Sequence, residues 1–160
     1  MAATFVDYKG NQGTGTNNAD FGFSFPSFQK QDVKVEVDND IKTLDTHYQI
    51  NTYNVVSGGT VTFTAGNIPS LATQDIRIYR ETDVATNSGD ADPKAEFQAG
   101  SSIKAGDLND NFKQALFAAR EQQEQTVQTH EIKDSAVTAP KVKDGSVTTD
   151  KIANGAVTSA

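Results

Sequence analysis

Apolar and polar residues alternate in four places along the first eighty positions. Phe21, Phe23 and Phe25 alternate with Gly22 and Ser24; Val33, Val35 and Val37 with Lys34 and Glu36; Val61 and Phe63 with threonines; Ile76 and Ile78 with Asp75 and Arg77. A period of two puts one side of each segment on a core and the other in solvent, which predicts half-buried antiparallel strands. A further extended stretch runs from about His47 to Val56. Turn-forming residues separate these segments at Gly10 to Asn18, at Asp38-Asn39-Asp40, at Ser57-Gly58-Gly59 and at Asn87 to Pro93. Residues 1–104 therefore read as a compact antiparallel β-domain, a small sandwich or an open barrel, in a chain that is mainly β.

The period then changes. Gly106, Asp107 as N-cap and Asp110 near the positive end of the dipole predict a helix from 107 to about 128, inside a connector spanning 105–130. At about 1.5 Å per residue it would be on the order of 33 Å long. Leu108, Phe112, Ala115, Ala119, Gln122 and Thr126 are spaced 4, 3, 4, 3 and 4, the spacing of a coiled-coil seam, and Leu116 widens the first half of the stripe. Two packings satisfy that first half: a helix lying on its own domain, or a seam between helices. The polar second half leads straight into a repeat and favours several helices running in parallel along an axis.

Residues 131–160 carry that repeat, with a period of ten: IKDSAVTAPK, VKDGSVTTDK and IANGAVTSA. Ile132, Val142 and Ile152 align, as do Val137, Val147 and Val157. One aliphatic residue in five fits neither strand nor helix, and Asp-Gly and Asn-Gly mark turns, so each unit reads as two short extended pieces joined by turns. A single such chain cannot bury enough area to offset ordering its backbone, which costs about 1–2 kcal/mol per residue. The segment either orders against copies of itself, with these six aliphatics facing a common axis, or serves as a flexible linker. The third unit stops one residue short, which predicts a longer natural or ancestral chain.

Composition narrows the function. The 160 residues hold 14 Lys plus Arg against 21 Asp plus Glu, and the net charge of -7 would repel a phosphate backbone, so no nucleic-acid partner is expected. With no Cys and only His47 and His130, disulfides, thiolate metal sites and a cysteine nucleophile are excluded. No run of 18 apolar residues occurs, and the start MAATFVDYKG lacks a basic and an apolar region, so neither membrane insertion nor a signal peptide is predicted. At 36% hydrophobic the chain falls below the usual level of about 45–50%, as expected if part of it has no core of its own.

Candidate chemistry is sparse. GTGTNN at 13–18 has Asn18 where a dinucleotide loop needs its third Gly, and DAD at 90–92 lacks the central Gly and closing Glu of a calcium loop. The carboxylates of DVKVEVDND at 32–40 read as the wet face and turn of a strand pair, and two isolated histidines make no triad. The sequence thus predicts no catalytic, cofactor-binding or metal-binding residue, and no enzyme.

Several segments do form a recognisable set: DFGFSFPSF with DVKVEV at 20–37, the Thr46-His47-Tyr48 segment, GGTVTFT at 58–64, DIRIYRETD at 75–83, and FQAGSSIKAGDLNDNFKQALFAAREQ at 97–122. In order and spacing they resemble the N-terminal domain of the tail fibre of short-tailed bacteriophages of the T-seven type (podoviruses). The most specific part is the domain–helix junction Phe97, Gly100, Ser101, Ile103, Ala105, Asp107, Leu108 and Asn109. The resemblance implies a virion structural protein, made in the host bacterial cytoplasm and placed in the tail, whose N-terminal domain fixes a homotrimeric fibre for host attachment. The partners it implies are two further copies of the chain, adaptor or nozzle proteins of the tail, and a distal fibre or tip protein. A trimer would place Leu108, Phe112, Ala115 and Ala119 in the helix seam, and Ile132, Val137, Val142, Val147, Ile152 and Val157 in the core of an extended stalk. Receptor recognition belongs to a C-terminal tip that this sequence does not contain. The competing classes are a glycan-binding module using Tyr8, Tyr48, Tyr53 and Tyr79, and a fragment of a fibre-borne polysaccharide depolymerase.

Overall fold

The structure, a computed structural model, describes residues 4–84, 93–124, 132 and 136–148. The chain divides into two units, Met1–Thr126 and Val127–Ala160. Among the described residues of the first, seven strands precede one α-helix: β1 (Phe5–Lys9), β2 (Asp20–Phe23), β3 (Val33–Val37), β4 (Asp40–Lys42), β5 (Tyr48–Asn54), β6 (Gly58–Phe63), β7 (Asp75–Arg80) and α1 (Ala105–Glu124).

All strand pairings are antiparallel and fall into two separate sheets, ordered β1-β7-β3-β4 and β2-β6-β5. Of the two predicted architectures this is the sandwich. The alternating apolar positions of β2, β3, β6 and β7, with Tyr48 and Ile50 of β5 and Phe25 beyond β2, meet in one buried cluster between the sheets. Tyr48 spans the layers, its Oη donating to the carbonyl of Val33 at 2.9 Å. On the β1 side, Tyr8 Oη donates to the carbonyl of Gly22 at 2.6 Å and holds β1 against β2.

Strands β1 and β4 were not signalled by alternation, and each has a physical reason. Both faces of β1 are occupied: Val6 and Tyr8 pack on the core, while Phe5 lies under the Arg77 guanidinium and Asp7 pairs with Arg77 at 2.8 and 3.0 Å. Strand β4 is three residues long and exists because Asp38 and Asn39 both take positive φ (54° and 66°), the two-residue hairpin turn that suits strand twist. Asp40, read as part of that turn, is therefore the first residue of β4. In the β5–β6 hairpin Gly58 has φ +84°, and a Cβ there would lie 2.1 Å from the carbonyl oxygen of Phe23, so only glycine fits. The turn anticipated at 87–93 lies outside the described residues up to 92.

Helix α1 begins two residues before the predicted N-cap. Leu108 N–H already donates to the carbonyl of Lys104, which puts Asp107 inside the first turn. Gly106 is tolerated there because first-turn N–H groups have no intrahelical partner, and the Asp107 carboxylate still sits at the positive end of the dipole. The predicted end near residue 128 falls outside the described residues, as do Thr126 and His130.

In the second unit, the described residues form two turns of the repeat. Lys141 N–H donates to the carbonyl of Thr138 at 2.8 Å, and Ser146 N–H to that of Lys143 at 3.0 Å across Asp144-Gly145, where Gly145 has φ +75°. The Asp-Gly turn is where the sequence put it. Ile132, Val137, Val142 and Val147 are exposed in the single chain. Ile152 and Val157 lie outside the described residues.

Candidate functional site

The helix is held to the sandwich by its polar side. Residues 114, 117, 121 and 124 are spaced 3, 4 and 3, so Gln114, Phe117, Glu121 and Glu124 share one face of α1. Arg80, the last residue of β7, is 4% exposed and points at that face. Its Nε donates to Glu121 Oε1 at 2.5 Å, one terminal nitrogen donates to the carbonyl of Pro26 at 2.7 Å, and its guanidinium lies 3.8 Å above the Phe117 ring. Phe117 also packs on Phe28, ring centroids 5.3 Å apart. The Glu121 carboxylate takes two more hydrogen bonds, from Thr82 N–H (2.9 Å) and Thr82 Oγ1 (2.6 Å).

One turn further on, Thr4 N–H and Oγ1 both donate to Glu124 Oε2, at 2.7 and 2.6 Å, and Arg120 pairs with the same carboxylate. Those hydrogen bonds and the Arg120 charge hold the Glu124 carboxyl below its ordinary value, against the opposing push of burial. Towards the helix start, Gln114 donates to the carbonyl of Asp83 at 2.8 Å and accepts from Lys94 N–H, while Asn111 exchanges a pair of 2.8 Å hydrogen bonds with the backbone of Ala95. Buried polar groups are stabilising only when satisfied, and this interface satisfies those of Arg80, Thr82, Gln114 and Glu121, whereas Arg120 Nε is buried without a hydrogen-bond partner.

The opposite side of α1 is apolar and bare. Leu108 is 39% exposed, Phe112 65% and Leu116 67%, and Ala115 and Ala119 on the same stripe are exposed too. At about 100° per residue, this stripe and the docked face point about 170° apart. The four predicted seam residues thus lie together on one face, and that face is turned away from their own domain. Of the two packings open to the stripe, the one in which it lies on its own domain is absent; the helix does lie there, but by its other side.

The junction residues are spread along the segment leading into the helix. Gly100 takes φ +84° in a turn closed by Ser101 N–H to the carbonyl of Gln98 (3.0 Å), and Ser101 Oγ donates to the same carbonyl at 2.8 Å. Phe97, Ile103 and Asn109 are exposed and Asp107 is half-buried. Sequence reasoning missed Arg80, Thr82, Thr4, Gln114, Glu121 and Glu124. The signal was the 3, 4, 3 spacing on the helix, which for Gln and Glu ordinarily reads as a solvated face.

Among the described residues no group of three His, Asp or Glu could hold a metal ion, and no helix is long and apolar enough to cross a membrane.

The first unit is a β-sandwich whose last strand clamps a helix, and the ten-residue repeat follows that helix in the sequence. Residues 1–139 match the family described as Phage T7 tail fibre protein, N-terminal domain, and the chain belongs to that family. It is a structural domain of a bacteriophage tail fibre, a component of the virion tail. No curated protein matches the chain significantly.

Proposed function

We propose that this chain is the attachment head of a homotrimeric tail fibre, adaptor-like at one end and rod-forming at the other. The observation that carries the reading is the bare stripe of Leu108, Phe112, Ala115 and Ala119, set at seam spacing on the side of α1 facing away from the sandwich. Exposed apolar side chains in that pattern gain by burial against the same pattern of other copies, each large one contributing about 1.5–3 kcal/mol when fully buried. Ile132, Val137, Val142, Val147, Ile152 and Val157 form the core of a cooperative stalk, in which one chain alone has nothing to pack on. No described arrangement of carboxylates or histidines favours the depolymerase or glycan-binding alternatives.

Attachment falls to the loops at the other end of the sandwich. Arg80 N–H donates to the carbonyl of Thr4 at the helix end, and Lys9 pairs with Asp75 at the far end, about 16 Å away at about 3.3 Å per residue. There Gly10 N–H donates to the carbonyl of Gln74, and Gly10 fits so closely under Leu71 that a Cβ would approach its carbonyl to 2.8 Å. The loops 10–19 and 64–74 therefore form one surface, with Leu71 exposed on it. This surface meets the adaptor or nozzle proteins of the tail.

The test is co-sedimentation with tails stripped of fibres. Leu71→Glu should weaken binding, whereas removal of 132–160 should leave it intact. Deleting residues 1–18 is unsuitable because it removes β1 from the sheet. If loss of the repeat abolishes binding and Leu71→Glu does not, the head is not the attachment point.

A further inference from the structure

In this family member the trimer and the head compete for one helix only if both use the same side of it. They do not: the docked residues Gln114, Phe117, Glu121 and Glu124 lie about 170° from Leu108, Phe112, Ala115 and Ala119 at about 100° per residue. We propose that in the assembled fibre each sandwich stays clamped to the outer side of its own helix through Arg80 and Glu121, so that three heads are carried as fixed outriggers around the seam. This rests on the trimer reading above and adds the geometry of the head and the residues that set it.

Two observations carry it beyond the bare stripe. First, the clamp is built for permanence. The Arg80 guanidinium is buried, stacked on Phe117 and bonded to Glu121 and to the carbonyl of Pro26, so releasing the helix would strand a buried charge among groups that it now satisfies. Second, it has two separate points along the helix axis. Thr4 holds Glu124 at the C-terminal end, and Thr82 holds Glu121 nearly one turn before it, which fixes direction as well as distance. A single contact would act as a pivot; two make a strut. Because Thr4 immediately precedes β1 and Arg80 closes β7, neighbouring strands paired along their length, the strut transmits to the whole of that sheet. Arg80 and Glu121 are thus positioning residues: they aim the attachment loops relative to the rod without touching the tail.

The seam and the clamp make opposite demands on substitutions, and this separates them experimentally. Hydrogen exchange is read at single amides in the full chain, with mass measured by light scattering in the same buffer. In the trimer, the Thr82 and Thr4 amides, which donate to Glu121 and Glu124, should exchange as slowly as neighbouring β7 amides. Glu121→Gln should keep the mass of three chains and speed exchange at Thr82 by at least about tenfold. Fast exchange at Thr82 and Thr4 in the wild-type trimer, with β7 protected, would show that the helix leaves its sandwich on assembly and would overturn the strut. So would a Glu121→Gln protein with unchanged exchange, because the carboxylate would then not be the clamp. A Glu121→Gln protein that keeps its sandwich but falls to one chain would show that the two faces are not independent. A wild-type chain that is itself a monomer would instead refute the trimer on which the strut rests.

Discussion

Arg80 is the residue on which the first unit turns. Its charge is buried at the end of a strand, and its partners come from two places far apart in the sequence, Pro26 and Glu121. Replacing Glu121 by Ala leaves that charge uncompensated, and chemical denaturation should show a loss on the order of 3–5 kcal/mol in the unit that includes α1. A loss below about 1 kcal/mol would mean that the pair is no better than a surface salt bridge. Tyr48 sets a second limit. Burial, with help from Asp45, pushes its phenol up to about 12, and Tyr79 is raised in the same sense by burial and Glu36. The unfolded phenol ionises near pH 10, so the stability that buried Tyr48 contributes is complete below that pH and falls as pH rises through 10 towards 12, by up to about 1.4 kcal/mol per pH unit, with half-buried Tyr79 acting in the same direction. Tyr48→Phe should cost about 1 kcal/mol at pH 7, where its bond to Val33 is lost, and should flatten the alkaline decline. The alternation of β7 puts Arg80 in phase with Ile76 and Ile78, on the inward face, but only the fold brings Glu121 to it.

At the scale of elements, what could be read was whatever a single periodicity determines. Val33, Val35 and Val37 can satisfy their alternation in only one way, and β3 lies where they put it, as do β2, β6 and β7. Strand β1 escaped because Phe5 and Tyr8 serve opposite faces, and β4 because a turn, not a pattern, creates it. Gly58, read as a turn residue, is the first residue of β6, and its closeness to Phe23 depends on the strand beside it. Gly58→Ala should therefore lower stability by at least about 3 kcal/mol, since left-handed strain and contact with backbone add. A thermal midpoint unchanged by that substitution would mean that the hairpin relaxes freely. Helix α1 is the element that one periodicity could not describe. It carries two stripes, and the apolar one reads as the obvious contact while the polar one makes the contact with its own domain. The two kinds of substitution should then differ in kind: Phe112→Asp should leave the monomer's unfolding curve unchanged, whereas Glu121→Ala should shift it.

For the whole molecule, the division of labour follows from where charge and apolar surface lie. The chain carries a net charge of -7, and the loops proposed to meet the tail lie at the end of the sandwich away from the helix clamp. A basic or mixed tail surface is the complement, and tail binding should weaken as salt rises from about 0.05 to 0.5 M. Binding indifferent to salt would place the contact on Leu71 and its apolar neighbours instead. The proposed rod requires the proposed seam. The most direct measure of that seam is the mass of the purified chain in solution by light scattering, beside the Phe112→Asp variant. Three times the 17.1 kDa chain mass for the wild type, and one times that mass for a Phe112→Asp protein with the same circular dichroism, is the predicted result. The same mass for both would contradict the seam, and a wild-type monomer would contradict the trimer itself.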